Sequence, residues 1–269
     1  MGKWGTAACK KVNKTTSNEN TGRRVPALFL YDKMQSYEEL KPHRLVLLGA
    51  PGVGKGTQAE LLSERLSARH ISTGDLFRAA KALKEEDRTP AMMKALEYMQ
   101  RGELVPDEIM LGLLKERGHR LCFGGFILDG FPRTIAQAQA LEEFLAGNEI
   151  KLEAVLNYEL AIEKIISRLS GRRTCPNCKA VYHVEARPPR VQGICDICGA
   201  ALYQREDDRP EAVRVRMDAY EKSTVPLAEF YRRKGLLMPI SAEGTPEEIF
   251  ERTIAALERR QNAPSEVRP

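Results

Sequence analysis

An α/β fold organised around a phosphate-binding turn is what this sequence predicts, and three observations predict it. Leu45–Leu48 is a short, wholly apolar run that reads as a buried strand. It passes directly into Gly49-Ala50-Pro51-Gly52-Val53-Gly54-Lys55, and from Lys55 onward the composition (Gln58, Ala59, Glu60, Leu61, Leu62) suits a helix. Further apolar strands then alternate with helical stretches to the end of the 269-residue chain, interrupted by one cysteine-bearing insert.

The turn carries the chemistry. Gly-x4-Gly-Lys is the P-loop spacing. Its glycines let backbone N–H groups converge on phosphate oxygens, Lys55 adds a point charge, and the helix N-terminus behind favours anions. A Ser or Thr usually follows the lysine directly; here Gly56 stands in that place and Thr57 comes one later. The strand–turn–helix context makes this a nucleoside-triphosphate site.

Composition bounds the rest. With 42% hydrophobic and 29% charged residues the chain matches an ordinary soluble globular protein, long enough for one large domain or two. No apolar stretch approaches the roughly 18–20 residues of a membrane span, so no membrane partner is expected. The polar, basic N-terminus lacks an apolar signal core, so a cytoplasmic location is expected. A net charge of +5 suits nucleic acid, or equally arginines aimed at nucleotide phosphates.

In chain order, residues 1–24 are rich in Lys, Asn, Thr and Gly and predict disorder, with a short ordered element over Val25–Leu40; together they form an N-terminal extension, 1–43. Ile71-Ser72 reads as a short strand, and Asp75 as the cap of a helix opened by Leu76, Phe77 and Arg78. Helices follow at 91–101, with Met92, Met93, Leu96 and Met99 as a core stripe closed by Gly102, and at 107–117, started by Asp107 after Pro106. The apolar strand before Asp129 ends where a Walker-B carboxylate would hold a magnesium-bound water, and Arg133 points toward the same rim. A strand at Ala154–Tyr158, helices at 161–169, 210–222 and 226–234, a strand at Leu236–Ile240 and a helix at 246–260 complete the pattern. The tail 261–269 reads as frayed.

The insert is a metal site by spacing. Cys175-Pro176-Asn177-Cys178 and Cys195-Asp196-Ile197-Cys198, with 16 residues between the pairs, fit a tetrahedral zinc tetrathiolate in a reducing compartment. Four thiolates leave no open position for water, so the zinc is structural. His183 could stand in for one cysteine, and Cys9 and Cys122 read as bystanders. Apolar residues are few here (Val181, Tyr182, Ile194, Leu202), so the metal supplies most of the lobe's folding energy. Arg168, Arg172 and Arg173 precede the insert, and Arg205, Arg214 and Arg216 follow it, as expected of a lid that brings cations over phosphates.

These stretches together resemble the adenylate kinase family of nucleoside monophosphate kinases, in its long-lid, zinc-bearing bacterial form, over about residues 44–260. The likeness is carried by residues 49–57, His70-Ile71-Ser72-Thr73-Gly74-Asp75-Leu76-Phe77-Arg78, Leu104-Val105-Pro106-Asp107-Glu108 and Asp129-Gly130-Phe131-Pro132-Arg133-Thr134. Val181–Val184 and Asp207-Asp208 extend it. The displaced Thr57 is itself that family's P-loop variant.

The resemblance implies a core (44–72, 105–167 and 206–260) with a five-stranded parallel sheet flanked by helices. It also implies a small helical monophosphate-binding domain (73–104) and a zinc-bearing lid (168–205). It implies ATP on Gly52, Val53, Gly54, Lys55, Gly56, Thr57, Arg168 and Arg205. AMP would lie on Thr73, Arg78, Val105, Gly130, Arg133, Gln137 and Arg216. Lys55, Asp129, Arg133, Arg172 and Arg216 would serve the transfer itself. The expected reaction is Mg-ATP + AMP ⇌ 2 ADP by a monomer with Mg²⁺ and structural Zn²⁺. Thr73, where pyrimidine-selective relatives carry Ala, leans the acceptor toward AMP. GTP as donor, or UMP or CMP as acceptor, are the alternatives within the class. A nucleic-acid-binding ATPase is the alternative outside it, disfavoured because the arginines gather at the insert and no basic patch is interleaved with aromatics.

Overall fold

A computed structural model describes residues 42–81, 83–101, 103–117, 121 and 124–262. The expectations for the extension up to residue 41, for Gly102, Cys9 and Cys122, and for the tail after residue 262 lie outside the described residues.

The chain opens with β1 (Arg44–Gly49), turns through the glycine-rich loop into α1 (Lys55–Leu66) and returns as β2 (Arg69–Ser72). Then come α2 (Thr73–Lys81), a 3-10 turn over the acidic Glu85–Asp87, α3 (Pro90–Arg101) and α4 (Asp107–Arg117). β3 (Phe126–Asp129), α5 (Ile135–Gly147), β4 (Ala154–Glu159) and α6 (Ile162–Gly171) follow. The cysteine lobe contains the antiparallel pair β5 (Arg172–Thr174) and β6 (Val181–His183). After a 3-10 turn at Glu206–Asp208 the chain finishes with α7 (Pro210–Ala219), α8 (Val225–Arg233), β7 (Leu237–Ser241) and α9 (Pro246–Asn262).

Five strands form one parallel sheet in the order β2-β3-β1-β4-β7. Both faces of β1 are buried, which is why its sequence is continuously apolar instead of alternating. Val46 and Leu48 pack toward Leu141, Phe144 and Leu145 of α5 and Leu227 and Tyr231 of α8. Leu45 and Leu47 pack the other way, with Ala59 and Leu62 of α1 and Ile249 and Leu257 of α9. Each fully buried Leu or Ile contributes about 1.5–3 kcal/mol, so the sheet is a stiff base for loops at its C-terminal edge. β1 lies between β3 and β4, with the chain leaving it toward one side and later crossing to the other. The crevice above such a reversal is where open α/β sheets hold ligands.

Three expectations are corrected here. Ser72, not Asp75, caps α2: its Oγ accepts the Asp75 N–H at 3.1 Å, and Asp75 sits inside the first turn, bonded to Arg78. The Met stripe is only partly core, since Leu96 is buried and Met99 packs against the core, while Met93 is exposed. The expected break between helices at 222 and 226 is instead a π-helical turn, Tyr220–Thr224, joining α7 to α8. Pro226 has no N–H to give and its ring crowds the carbonyl four residues back. The backbone accommodates it by widening, with the Val225 N–H bonding the Tyr220 carbonyl five residues back.

Candidate active site

At the C-terminal edge of β1 the backbone must reverse within five residues. Gly54 makes this possible with φ of 108°, a left-handed value that a side chain would oppose, and α1 starts directly after it. The unpaired N–H groups of that first turn face a cavity of ≈ 780 Å³. Lys55 lies at its floor. Its ammonium donates to the carbonyls of Gly49 (2.8 Å) and Ala50 (2.9 Å).

The register Leu47↔Asp129 brings the end of β3 beside this turn, where a Cβ on Gly56 would stand 3.6 Å from Asp129 Oδ2. His70 of β2 approaches the same carboxylate, Nε2 to Oδ2, at 3.8 Å. Burial would raise the Asp129 carboxyl, but His70 and the Lys55 charge outweigh it and hold it below the usual range. Asp129 therefore stays ionised at neutral pH.

Beyond β3, Gly130 turns with φ of 82° in a space where a Cβ would meet Thr73 Oγ1 at 2.7 Å. Thr73 Oγ1 donates to the Gly130 carbonyl at 3.0 Å, and Arg133 Nε donates to the same oxygen at 2.9 Å. The π turn has a use here: the Thr224 hydroxyl donates to the Arg133 carbonyl at 3.2 Å and fixes that residue's backbone.

The arginines flanking the cysteine lobe are aimed by acids at its root. Arg172 gives Nε (2.7 Å) and Nη2 to the two carboxylate oxygens of Asp208. Arg216 Nη1 reaches Asp208 at 3.2 Å and Asp207 Oδ2 at 3.0 Å. Arg205 Nε donates to Thr174 Oγ1 at 2.9 Å. Arg168 joins the Val53 carbonyl to that of Ala242, both at 3.1 Å.

Nine lysines and arginines, among them Lys55, Arg78, Arg133, Arg168, Arg172, Arg205 and Arg216, thus line one cavity, and several disfavour one another. Burial first, then Arg172 and Arg78, push Arg205 down to about 10. Burial and the neighbouring arginines likewise lower Arg133 and Arg216. Burial, only partly offset by Asp129, pushes Lys55 down to about 8. A polyanion entering this space relieves all of these repulsions at once.

Every nucleotide-site residue expected from the sequence lines this cavity: Gly52 to Thr57, Thr73, Arg78, Val105, Asp129, Gly130, Arg133, Gln137, Arg168, Arg172, Arg205 and Arg216. Sequence reading missed Gln58, whose amide donates to the Pro246 carbonyl at 2.8 Å, and the Gly244–Glu247 loop it holds against the same cavity. Nothing in the composition of that distant loop marks it.

The four cysteines form a separate cluster. Their Sγ atoms all lie within 4.8 Å of one another, with Cys175–Cys198 at 3.3 Å and Cys178–Cys195 at 3.4 Å. A tetrahedron with metal–sulfur bonds of about 2.3 Å has edges of roughly 3.8 Å, so the set fits zinc. Both pairs close the same way, Cys175 N–H to the Ala180 carbonyl and Cys195 N–H to that of Ala200, each 2.9 Å. Tyr182 accepts the Asp196 N–H at 2.9 Å, which leaves its own proton for Cys195 Sγ at 3.5 Å. His183 is occupied elsewhere: Nδ1 accepts the Glu185 and Ala186 N–H groups, and Nε2 lies 3.2 Å from the Ser167 carbonyl. Val191 and Ile197 of the lobe are exposed, and only Cys175, Tyr182 and Cys195 form its buried centre.

The comparisons with known proteins point the same way. A family model described as adenylate kinase matches residues 47–236. The adenylate kinase of Carboxydothermus hydrogenoformans is 49% identical over 217 residues, spanning 80% of this chain and 100% of the relative. That of Caldicellulosiruptor saccharolyticus is 53% identical over 78% of this chain and 95% of its own length. That of Thermodesulfovibrio yellowstonii is 47% identical over 81% and 100%. With the P-loop, the strand-end carboxylate and the ring of arginines all facing one cavity, this chain belongs to the adenylate kinase family.

Proposed function

We propose that this chain moves a phosphoryl group reversibly between Mg-ATP and AMP to give two ADP, with the residue roles set out below. The observation that carries this reading is the one cavity lined from the segments 51–57, 73–78 and 129–137 and by arginines from both roots of the cysteine lobe. Residues 44–72, 105–167 and 206–260 act as the core, 73–104 as the monophosphate-binding domain, and 168–205 as the lid.

Phosphoryl transfer asks little covalent chemistry of a protein; it needs in-line alignment and positive charge around the moving group. The loop from Gly52 to Thr57 holds the triphosphate, with Arg168 and Arg205 over it. Thr73, Arg78, Val105, Gly130 and Gln137 hold the monophosphate. Lys55 leaves the loop carbonyls to follow the phosphates, and Arg133, Arg172 and Arg216 converge on the group in transit. Asp129, kept ionised, is the residue that would meet the water of Mg²⁺. The ion would there supply positive charge to the phosphates during transfer. Closure of the lid excludes water, a smaller competitor for the donor phosphate than AMP.

We place the protein in the cytoplasm, since thiolate ligands persist in a reducing compartment, and read it as a monomer on the family resemblance alone. Mixed with ATP, AMP and Mg²⁺, the purified protein should form ADP rapidly, and much more slowly with UMP or CMP in place of AMP. ADP formed without AMP and stimulated by DNA or RNA would replace this reading with that of a nucleic-acid-dependent ATPase.

Zinc is assigned to Cys175, Cys178, Cys195 and Cys198 as a structural ion. Because the lobe has almost no apolar core, chelation should lower the melting temperature and make the lobe the first segment to exchange its amides. Transfer at low temperature should be largely retained. A chelated, metal-free protein with an unchanged melting curve would remove the assignment.

A further inference from the structure

Gln137 is 2% exposed yet lines the cavity on the side read above as the monophosphate's. A side-chain amide can sit two ways, related by a half-turn that exchanges oxygen and nitrogen. Here its partners choose between them. Asp107, the first residue of α4, offers only acceptors and takes Gln137 Nε2–H at 2.7 Å. The Arg133 backbone N–H can only donate and gives to Gln137 Oε1 at 2.8 Å. The carboxylate is itself held, because the Thr134 hydroxyl shares its proton between both Asp107 oxygens at 3.1 Å, while Thr134 Oγ1 accepts the Gln137 N–H and caps α5. With the amide reversed, oxygen would face carboxylate and N–H would face N–H, so both bonds would become repulsions.

One N–H on Nε2 and one lone pair on Oε1 are left over, in a fixed order. A 6-aminopurine presents an acceptor at N1 beside a donor at its exocyclic amine. A 6-oxopurine presents the opposite order, a donor at N1 beside an acceptor at O6. The locked amide matches the first and mismatches the second; a freely turning amide would match either.

We propose that Asp107 is a specificity-determining positioning residue: by locking the Gln137 amide it makes the acceptor site take a 6-aminopurine monophosphate and refuse a 6-oxopurine one. This rests on the reading above that gives Gln137 to AMP, taken here to meet the base. Asp107 touches no substrate; it acts through Gln137.

The test compares kcat/KM for AMP and for IMP, with ATP as donor, in the wild type, Asp107→Asn and Gln137→Ala. Asparagine has the same shape but carries both a donor and an acceptor, so on its side it accepts either orientation of the amide and leaves the Arg133 N–H alone to favour one. The AMP-over-IMP preference should fall about tenfold or more in Asp107→Asn, mainly through a lower KM for IMP. The ratio does not depend on how much of each preparation is folded, and a purely structural role for Asp107 would lower both substrates together and leave it unchanged. If Gln137→Ala flattens the preference and Asp107→Asn does not, the lock is refuted. If Gln137→Ala leaves the KM for AMP unchanged, the base does not face Gln137, and the underlying assignment fails with it.

Discussion

Lys55→Met should give a folded protein whose phosphoryl transfer is slower by roughly 10³-fold or more, the scale on which a single cation aimed at a phosphoryl transition state acts. Two features separate this from general damage. Among the described residues the ammonium donates to the Gly49 and Ala50 carbonyls, and burial with Arg133, Arg216 and Arg172 outweighs the attraction of Asp129. Replacing it should therefore leave the melting temperature within a few degrees or raise it. The second feature is the proton. Lys55 titrates at about 8 in the folded chain against 10.5 for the free side chain, so between these values the unfolded chain binds more protons. Its contribution to stability consequently grows as pH rises through that window. Phosphates arriving beside Lys55 raise its pKa again, so ATP binding near pH 8–9 should take up protons and weaken as pH rises. Calorimetry in two buffers of different ionisation enthalpy reads that uptake, and Lys55→Met should abolish most of it. Turnover within tenfold of the wild type would end the role given to Lys55.

Why so much of the site could be read from the chain is a matter of local chemistry. A glycine-rich turn between an apolar run and a helix has few other physical readings, and two Cys-x2-Cys pairs have fewer. Both signals are complete within a dozen or so residues, and the structure places the turn and the four sulfurs accordingly. What escaped is non-local. Ser72 takes the cap from Asp75 because Asp75 is drawn to Arg78, a competition that spacing does not display. The π turn before Pro226 is a tertiary compromise that also fixes the Arg133 backbone. Gln58 meets Pro246 from 188 residues away, and Gln137 meets Asp107 from 30. Asp107 looked like a helix start and is one, but its second use appears only when α4 and α5 lie side by side. Secondary-structure position was legible; which polar atoms satisfy which others was not, because that depends on packing between elements.

Asp208→Ala should be the most damaging single change at the root of the lobe. Asp208 is 1% exposed, and its carboxylate takes Nε and Nη2 of Arg172 and Nη1 of Arg216. Arg172 opens β5, where the chain enters the cysteine lobe, while Asp208 lies where the chain returns and Arg216 lies on α7. One carboxylate therefore ties the entry and the return of the cysteine lobe to each other and to α7. Removing it leaves the Arg172 guanidinium without its counter-ion and Arg216 with Asp207 alone. Breaking a buried pair on one side costs about 3–5 kcal/mol, and because both arginines border an open cavity about 2–3 is expected here. That corresponds to a melting temperature lower by roughly 5–10 °C. Turnover should fall about 10²-fold, since both arginines lose their aim. Adding Arg172→Met to Asp208→Ala should cost far less stability than Arg172→Met alone, because the stranded charge disappears with it. Additive losses, or an Asp208→Ala protein that melts and turns over normally, would mean that the arginines are oriented by the phosphates alone. The cysteine lobe would then need no tether at its root.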